Sequence, residues 1–128
     1  VVGQSVDTPD QRSWISLHTG APTCAADQAM IAIGAWQDFI PLSVFPAGNA
    51  EYPDRSTPLI TEMRSLDRKG SNVCRLTGPG IQDFTTLCLS DPALMQANTA
   101  LFPLGLDFIL TSESSVAALP RSTKIEVM

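Results

Sequence analysis

Proline and glycine cut this chain into short pieces, and that punctuation limits every element it can form. Ten prolines and eight glycines are spread over 128 residues. A proline inside a helix removes a hydrogen bond and clashes with the preceding turn, so helices must end before a proline or begin on one. Thr8-Pro9-Asp10-Gln11 has the form of a helix start. Thr8 caps, Pro9 fits the first helical position, and Gln11 is placed to close a capping box. Trp14, Leu17 and His18 then fall at i, i+3 and i+4 and make one apolar-sided face. Gly20 suits the residue after the last turn, and Pro22 follows it. The spacing predicts a helix over Thr8–Thr19. A second helix is predicted over Pro92–Leu101, with Ser90 as cap, Asp91 favoured by the helix dipole, and Pro103 as the stop.

The remaining pieces read as short strands. Ala29–Ile33 is a buried apolar strand ended by Gly34, and Pro41 and Pro46 leave room for at most a turn or two of helix around Leu42–Phe45. Ala47–Ser56 is polar and turn-like. Leu59–Leu66 and Val73–Thr77 flank the turn residues Asp67–Asn72 and are expected to form a hairpin. Phe84–Leu89 is β-rich, and Leu106–Thr111, Val116–Leu119 and Thr123–Val127 read as three more strands, with Ser112–Ser115 turning between the first two. The fold class is therefore α/β, a central mixed β-sheet flanked by helices, in one domain spanning residues 1–128 without repeats or linkers.

Apolar residues make up 44% and charged residues 16%, which is enough apolar surface to build a core. A formal charge of −5 argues against a nucleic-acid or anionic-membrane binder, since both attract basic patches. The longest apolar run, Ala29–Trp36, is far short of the ~20 residues of a membrane span. Cys24, Cys74 and Cys88 are scattered, there is no C-x-x-C, and His18 is the only histidine. Neither a disulfide framework nor a zinc site is indicated, and no metal is expected. The cysteines read as small buried residues of a reducing cytosol.

Few residues offer chemistry. Leu76-Thr77-Gly78-Pro79-Gly80-Ile81 follows a strand, so Gly78 and Gly80 either make a tight turn or let backbone N–H groups approach an anion. No Gly-Lys-Ser/Thr follows, and Pro79 removes one donor. Arg55 and Arg121 each sit beside a proline turn and either hold a phosphate or phosphonate or make an ordinary salt bridge. Asp107, charged within an apolar stretch, needs a partner such as a nearby Arg or backbone N–H. His18 is either a helix-terminal structural residue or a base. No catalytic Ser/His/Asp set is present.

Six ordered segments carry a resemblance: His18-Thr19-Gly20-Ala21-Pro22, Glu51-Tyr52-Pro53-Asp54-Arg55-Ser56, the Leu76–Ile81 segment, Ala97-Asn98, Leu101–Thr111, and Ala118-Leu119-Pro120-Arg121-Ser122-Thr123. Together, from Asp7 to Glu126, they resemble the PhnH family, the H subunit of the carbon–phosphorus lyase system of bacterial phosphonate metabolism. Ser122 stands where the family usually has Thr. The resemblance implies a cytoplasmic subunit of the core complex, the α-D-ribose 1-methylphosphonate 5-triphosphate synthase assembly. That assembly couples an alkylphosphonate to the ribose of ATP, releasing adenine, before the carbon–phosphorus bond is cut. It implies a homodimer, partnership with the G, I and J subunits, and a mainly scaffolding role. The alternative is direct binding of a small anion or nucleotide phosphate at the synthase site, through Gly78, Pro79, Gly80, Arg55, Arg121, Asp107 or His18. It also implies a fold like the large domain of pyridoxal-phosphate-dependent transferases without the cofactor. Lys69, in a turn, and Lys124, in the last strand, are poor Schiff-base candidates. Family members carry a further N-terminal segment, so that segment is expected to be lacking or outside this sequence. An exposed sheet edge, or a segment covering it, is the structural expectation.

Overall fold

The computed structural model describes all residues from Val1 to Met128. Helix α1 spans Pro9–Thr19 and helix α2 spans Pro92–Thr99. The strands are β1 (Ala32–Ala35), β2 (Leu59–Glu62), β3 (Val73–Thr77), β4 (Thr85–Cys88), β5 (Phe108–Ser112), β6 (Ser115–Leu119) and β7 (Lys124–Val127). Short 3-10 turns cover Gln4–Val6, Ala26–Gln28, Trp36–Phe39 and Leu42–Val44.

Both helix starts are local and form as their residues dictate. The Thr8 hydroxyl accepts from the Gln11 N–H at 3.1 Å, and Gly20 closes α1 at φ 68°. At α2 the cap is Asp91, whose carboxylate accepts from the Leu94 N–H at 3.0 Å, rather than Ser90. A carboxylate directly before Pro92 satisfies the same orphan donor and also faces the positive end of the dipole. The last turn of α2 dissolves two residues earlier than Leu101, in tight turns that lead to Pro103.

The strands make two sheets rather than one central sheet. A four-stranded sheet has the order β1-β2-β5-β6, with β1, β2 and β5 parallel and β6 antiparallel. A three-stranded antiparallel sheet has the order β4-β3-β7. The expected hairpin between β2 and β3 is therefore not formed, because the two strands belong to different sheets. Turn residues at Asp67–Asn72 reverse the chain, but they do not choose its partner. The partner is chosen by burial: Leu76 faces Ile125 of β7, and Cys74 faces Leu87 of β4. Several strands are also shorter than their apolar patterns, β2 ending at Glu62 and β5 beginning at Phe108 rather than Leu106.

The core lies between the sheets. Ala32, Leu59, Phe108 and Leu119, side by side across four strands, are all buried, and they share one cluster with Leu76, Leu87 and Ile125 of the second sheet and Met95 of α2. Phe39 and Phe45 close it with an edge-to-face contact at 5.6 Å. The other face of the four-stranded sheet is only partly covered. Its row Ile33, Ile60, Ile109 and Ala118 is half-buried to exposed, although parallel strands are normally covered on both faces. Helix α1 buries no residue: Trp14 is 58% and Leu17 82% exposed, so its predicted apolar face is a surface. The outer edge of β1 is paired by Val1–Gly3, through Gly3 N–H to Ile33 O at 2.7 Å and Ile33 N–H to Val1 O at 3.0 Å.

One buried hydroxyl stands alone. Thr61 Oγ, in the middle of β2, is fully buried and has no hydrogen-bond partner. Thr61→Val keeps the shape and removes the unsatisfied group. It is expected to leave stability unchanged or raise it by up to about 1 kcal/mol, read from the urea midpoint. A loss above that would mean the hydroxyl does bond in solution. No helix is long and apolar enough to cross a membrane.

Candidate functional site

Arg121 is the node at which the conspicuous loops of this chain meet. It lies in the turn between β6 and β7, where the Thr123 N–H bonds to Pro120 O. Its Nε donates to Asp107 Oδ1 at 3.1 Å, and its Nη2 donates to Asp107 Oδ2 at 2.6 Å and to Ser56 Oγ. Its Nη1 donates to Pro53 O at 2.6 Å and Pro103 O at 3.5 Å. Asp107 Oδ1 also accepts the Arg121 backbone N–H at 2.8 Å. A guanidinium has five N–H donors, and all five are engaged within the chain. The node thus ties the Tyr52–Ser56 loop, the Pro103–Asp107 segment and the Pro120–Thr123 turn together.

Electrostatics fit a structural latch. The Arg121 side chain is 12% exposed and that of Asp107 40%. Hydrogen bonds from Arg121 hold the Asp107 carboxyl below the usual carboxylate range, against the opposite push of burial. The same bonds raise the Arg121 pKa, against burial, with Asp54 adding to the attraction. The positive charge is thus already matched, and no donor of Arg121 remains for a bound anion.

Two further predicted residues join this cluster. Gly78, at φ 145°, is the point of closest approach to the turn: a Cβ there would lie 3.3 Å from Ser122 O and from Thr123 Cα. That packing accounts for Gly78, while Gly80 faces open space and Pro79 supplies no donor. Arg55 lies on the surface with its guanidinium 3.7 Å from the Tyr52 ring centre, and no carboxylate of the chain pairs with it. His18 is not part of the cluster; it is exposed on α1 and rests against Trp14 at 4.5 Å between ring centres. Of the cysteines Cys74 is buried and Cys88 half-buried, but Cys24 is exposed, against the expectation for all three. Cys24 lies in a loop after α1, where small size does not enforce burial. The lysines Lys69 and Lys124 are both exposed.

Asn98, which in the sequence only carries part of the resemblance, has a structural role that the sequence reading missed. It is 6% exposed on the inner side of α2 and donates through Nδ2 to Leu106 O at 2.8 Å, while its Oδ1 accepts the Leu106 N–H at 2.8 Å. Gly105, at φ 118°, allows this approach, since a Cβ would lie 3.0 Å from Asn98 O. The available signal was spacing: Asn98 is three residues after buried Met95, hence on the same helix face.

Beside the latch lies an apolar cavity of about 440 Å³ between α2 and the Leu42–Val44 turn, lined by Leu42, Phe45, Leu94, Ala97, Leu101 and Leu106 among others. No group of three or more His, Cys, Asp or Glu side chains is placed to hold a metal ion.

Comparison with known proteins gives one consistent result. The family model of the bacterial phosphonate metabolism protein PhnH matches residues 1–126. The chain is 38% identical over 120 residues to the α-D-ribose 1-methylphosphonate 5-triphosphate synthase subunit PhnH of Rhizobium meliloti, covering 88% of this chain and 59% of that protein. It is 38% identical over 85 residues to a putative C-P lyase subunit protein, HtxG, of Stutzerimonas stutzeri, covering 62% of this chain and 43% of that one. The chain thus spans less than two thirds of the length of either relative.

Proposed function

The chain belongs to the PhnH family of bacterial phosphonate metabolism proteins, and from that premise we propose that it is a mainly scaffolding subunit of the C-P lyase core complex, the ribose methylphosphonate triphosphate synthase assembly. Its partners are the G, I and J subunits and a second copy of itself, in the cytoplasm, and it has no stand-alone activity. The likeness of its fold to cofactor-free transferase domains is part of the same proposal. The observation that carries the scaffolding role is the full internal commitment of Arg121. The residue best suited to grip a phosphonate instead holds three loops of its own chain.

The test is co-expression with tagged G, I and J subunits. The expected result is a stable co-purifying complex; failure to associate with any of them overturns this reading. A second reading, direct anion binding, is favoured only by the unpaired guanidinium of Arg55. Calorimetry of the isolated chain with ATP and with methylphosphonate separates the two. The expected outcome is no binding heat. Heat that disappears in Arg55→Ala would favour the anion-binding subunit.

A further inference from the structure

We propose that the cavity beside α2, together with the Tyr52–Arg55 knuckle on its rim, is the seat for a partner polypeptide segment. That segment inserts one large apolar side chain into the cavity and sets a carboxylate against Arg55. The inference rests on the subunit role proposed above and specifies the surface that serves it.

Three observations converge on this patch. The first is the lining. The cavity has room for a large side chain, about 440 Å³, and seven of its nine lining residues are apolar. Of its two polar lining residues, Asn98 commits both ends of its amide to Leu106 and Ser43 offers a single hydroxyl, so no set of donors converges inside to hold a phosphate. An apolar side chain is therefore the matching occupant. At the rim Leu101 is 53% and Phe102 60% exposed, adding apolar area that a partner would cover.

The second is rigidity and adjacency. Ala47 lines the cavity, and the same residue bridges to Ser56, closing the loop that carries Tyr52 and Arg55. The Ala47 carbonyl accepts the Gly105 N–H at 3.0 Å. Asn49 Oδ1 accepts from the Glu51 and Tyr52 N–H groups at 3.1 and 2.7 Å. Arg121 Nη1 reaches both Pro53 O and Pro103 O, so the knuckle and the Leu101–Pro103 turn are neighbours. A patch already held in place loses little conformational freedom on binding.

The third is charge. Arg55 is exposed, stacked on Tyr52 at 3.7 Å, and has no carboxylate partner in a chain of net charge −5. An Arg–Tyr pair beside an apolar pocket is the composition of an interface hot spot, and an unpaired guanidinium selects a carboxylate.

The test uses the co-expressed complex. Ala97→Trp fills the cavity from an exposed helix position, and Arg55→Glu reverses the rim charge. Arg75→Ala, on the outer face of the three-stranded sheet, is the control. Circular dichroism and urea midpoints confirm that each variant is folded. Ala97→Trp and Arg55→Glu are expected to weaken association with the complex at least tenfold, about 1.4 kcal/mol, with Arg75→Ala unchanged. Wild-type binding by both variants, while the native chain still assembles, overturns this surface and leaves the subunit role intact. Failure of the native chain to join any subunit overturns both. If the variants change only self-association in sedimentation, the occupant is a second copy and the proposal is overturned as stated.

Discussion

Arg121→Ala is expected to cost about 3–4 kcal/mol, a large share of the stability of a domain this size. The substitution removes five donors at once and leaves the Asp107 carboxylate and the Pro53 carbonyl without their guanidinium partner. A shift of the urea midpoint at unchanged slope is the measure. Arg121→Lys should recover only a small part, because an ammonium cannot present the planar fork that spans Asp107, Ser56 and Pro53. The acid side carries a second signature. Asp107 has its pKa lowered in the folded state, by the Arg121 hydrogen bonds against burial. Its contribution is therefore complete above the usual carboxylate pKa and lost as pH falls through that range towards the folded value. The gap between native and Arg121→Ala stability should be widest near neutral pH and should narrow in acid. A gap that stays constant to pH 3 would show that Asp107 is not the partner that matters.

Asn98→Ala is the second large effect, expected at about 2–3 kcal/mol. Leu106 is 2% exposed, and its N–H and C=O, now both bonded to Asn98, would be left without a protein partner. Asn98→Asp should be at least as harmful, since an oxygen would then face the Leu106 carbonyl. Hydrogen exchange at the Leu106 amide gives a local readout: it should quicken far more than exchange in β3, on the other sheet. Equal quickening throughout would mean that the pair does no more than contribute to global stability.

The Arg121 side chain acts across sequence separations of up to 68 residues, and that separates what could be read from what could not. The starts of α1 and α2 were legible at Thr8-Pro9 and at Pro92, because a cap, a fixed proline φ and an orphan N–H lie within four residues, although the α2 cap was assigned to Ser90 and is Asp91. Val73–Thr77 was legible as a strand because its apolar residues alternate, with Cys74 and Leu76 buried and Arg75 exposed. The partner of that strand was not legible, and the hairpin with β2 was misread. Leu59, Ile60 and Thr61 resemble one member of a hairpin as much as the middle of a parallel sheet, since either pairing buries Leu59 and Thr61.

The candidate site divides in the same way. Asp107 was recognisable as a charge needing a partner, and Arg121 as a guanidinium beside a proline turn. That the two belong to each other, with Pro53, Ser56 and Pro103 as further partners, depends on loops up to 68 residues apart meeting at one point. The family, too, was readable, from short ordered motifs, and four of those motifs meet at or beside Arg121. The sequence by itself thus determined the helix starts, the alternation of the strands and the family, because each depends on local stereochemistry or on ordered short motifs. The two-sheet topology, the latch around Arg121 and the cavity beside Asn98 were decided only by tertiary packing. Burial selects strand partners and brings distant loops into hydrogen-bonding range, and neither choice is written in any local stretch of residues.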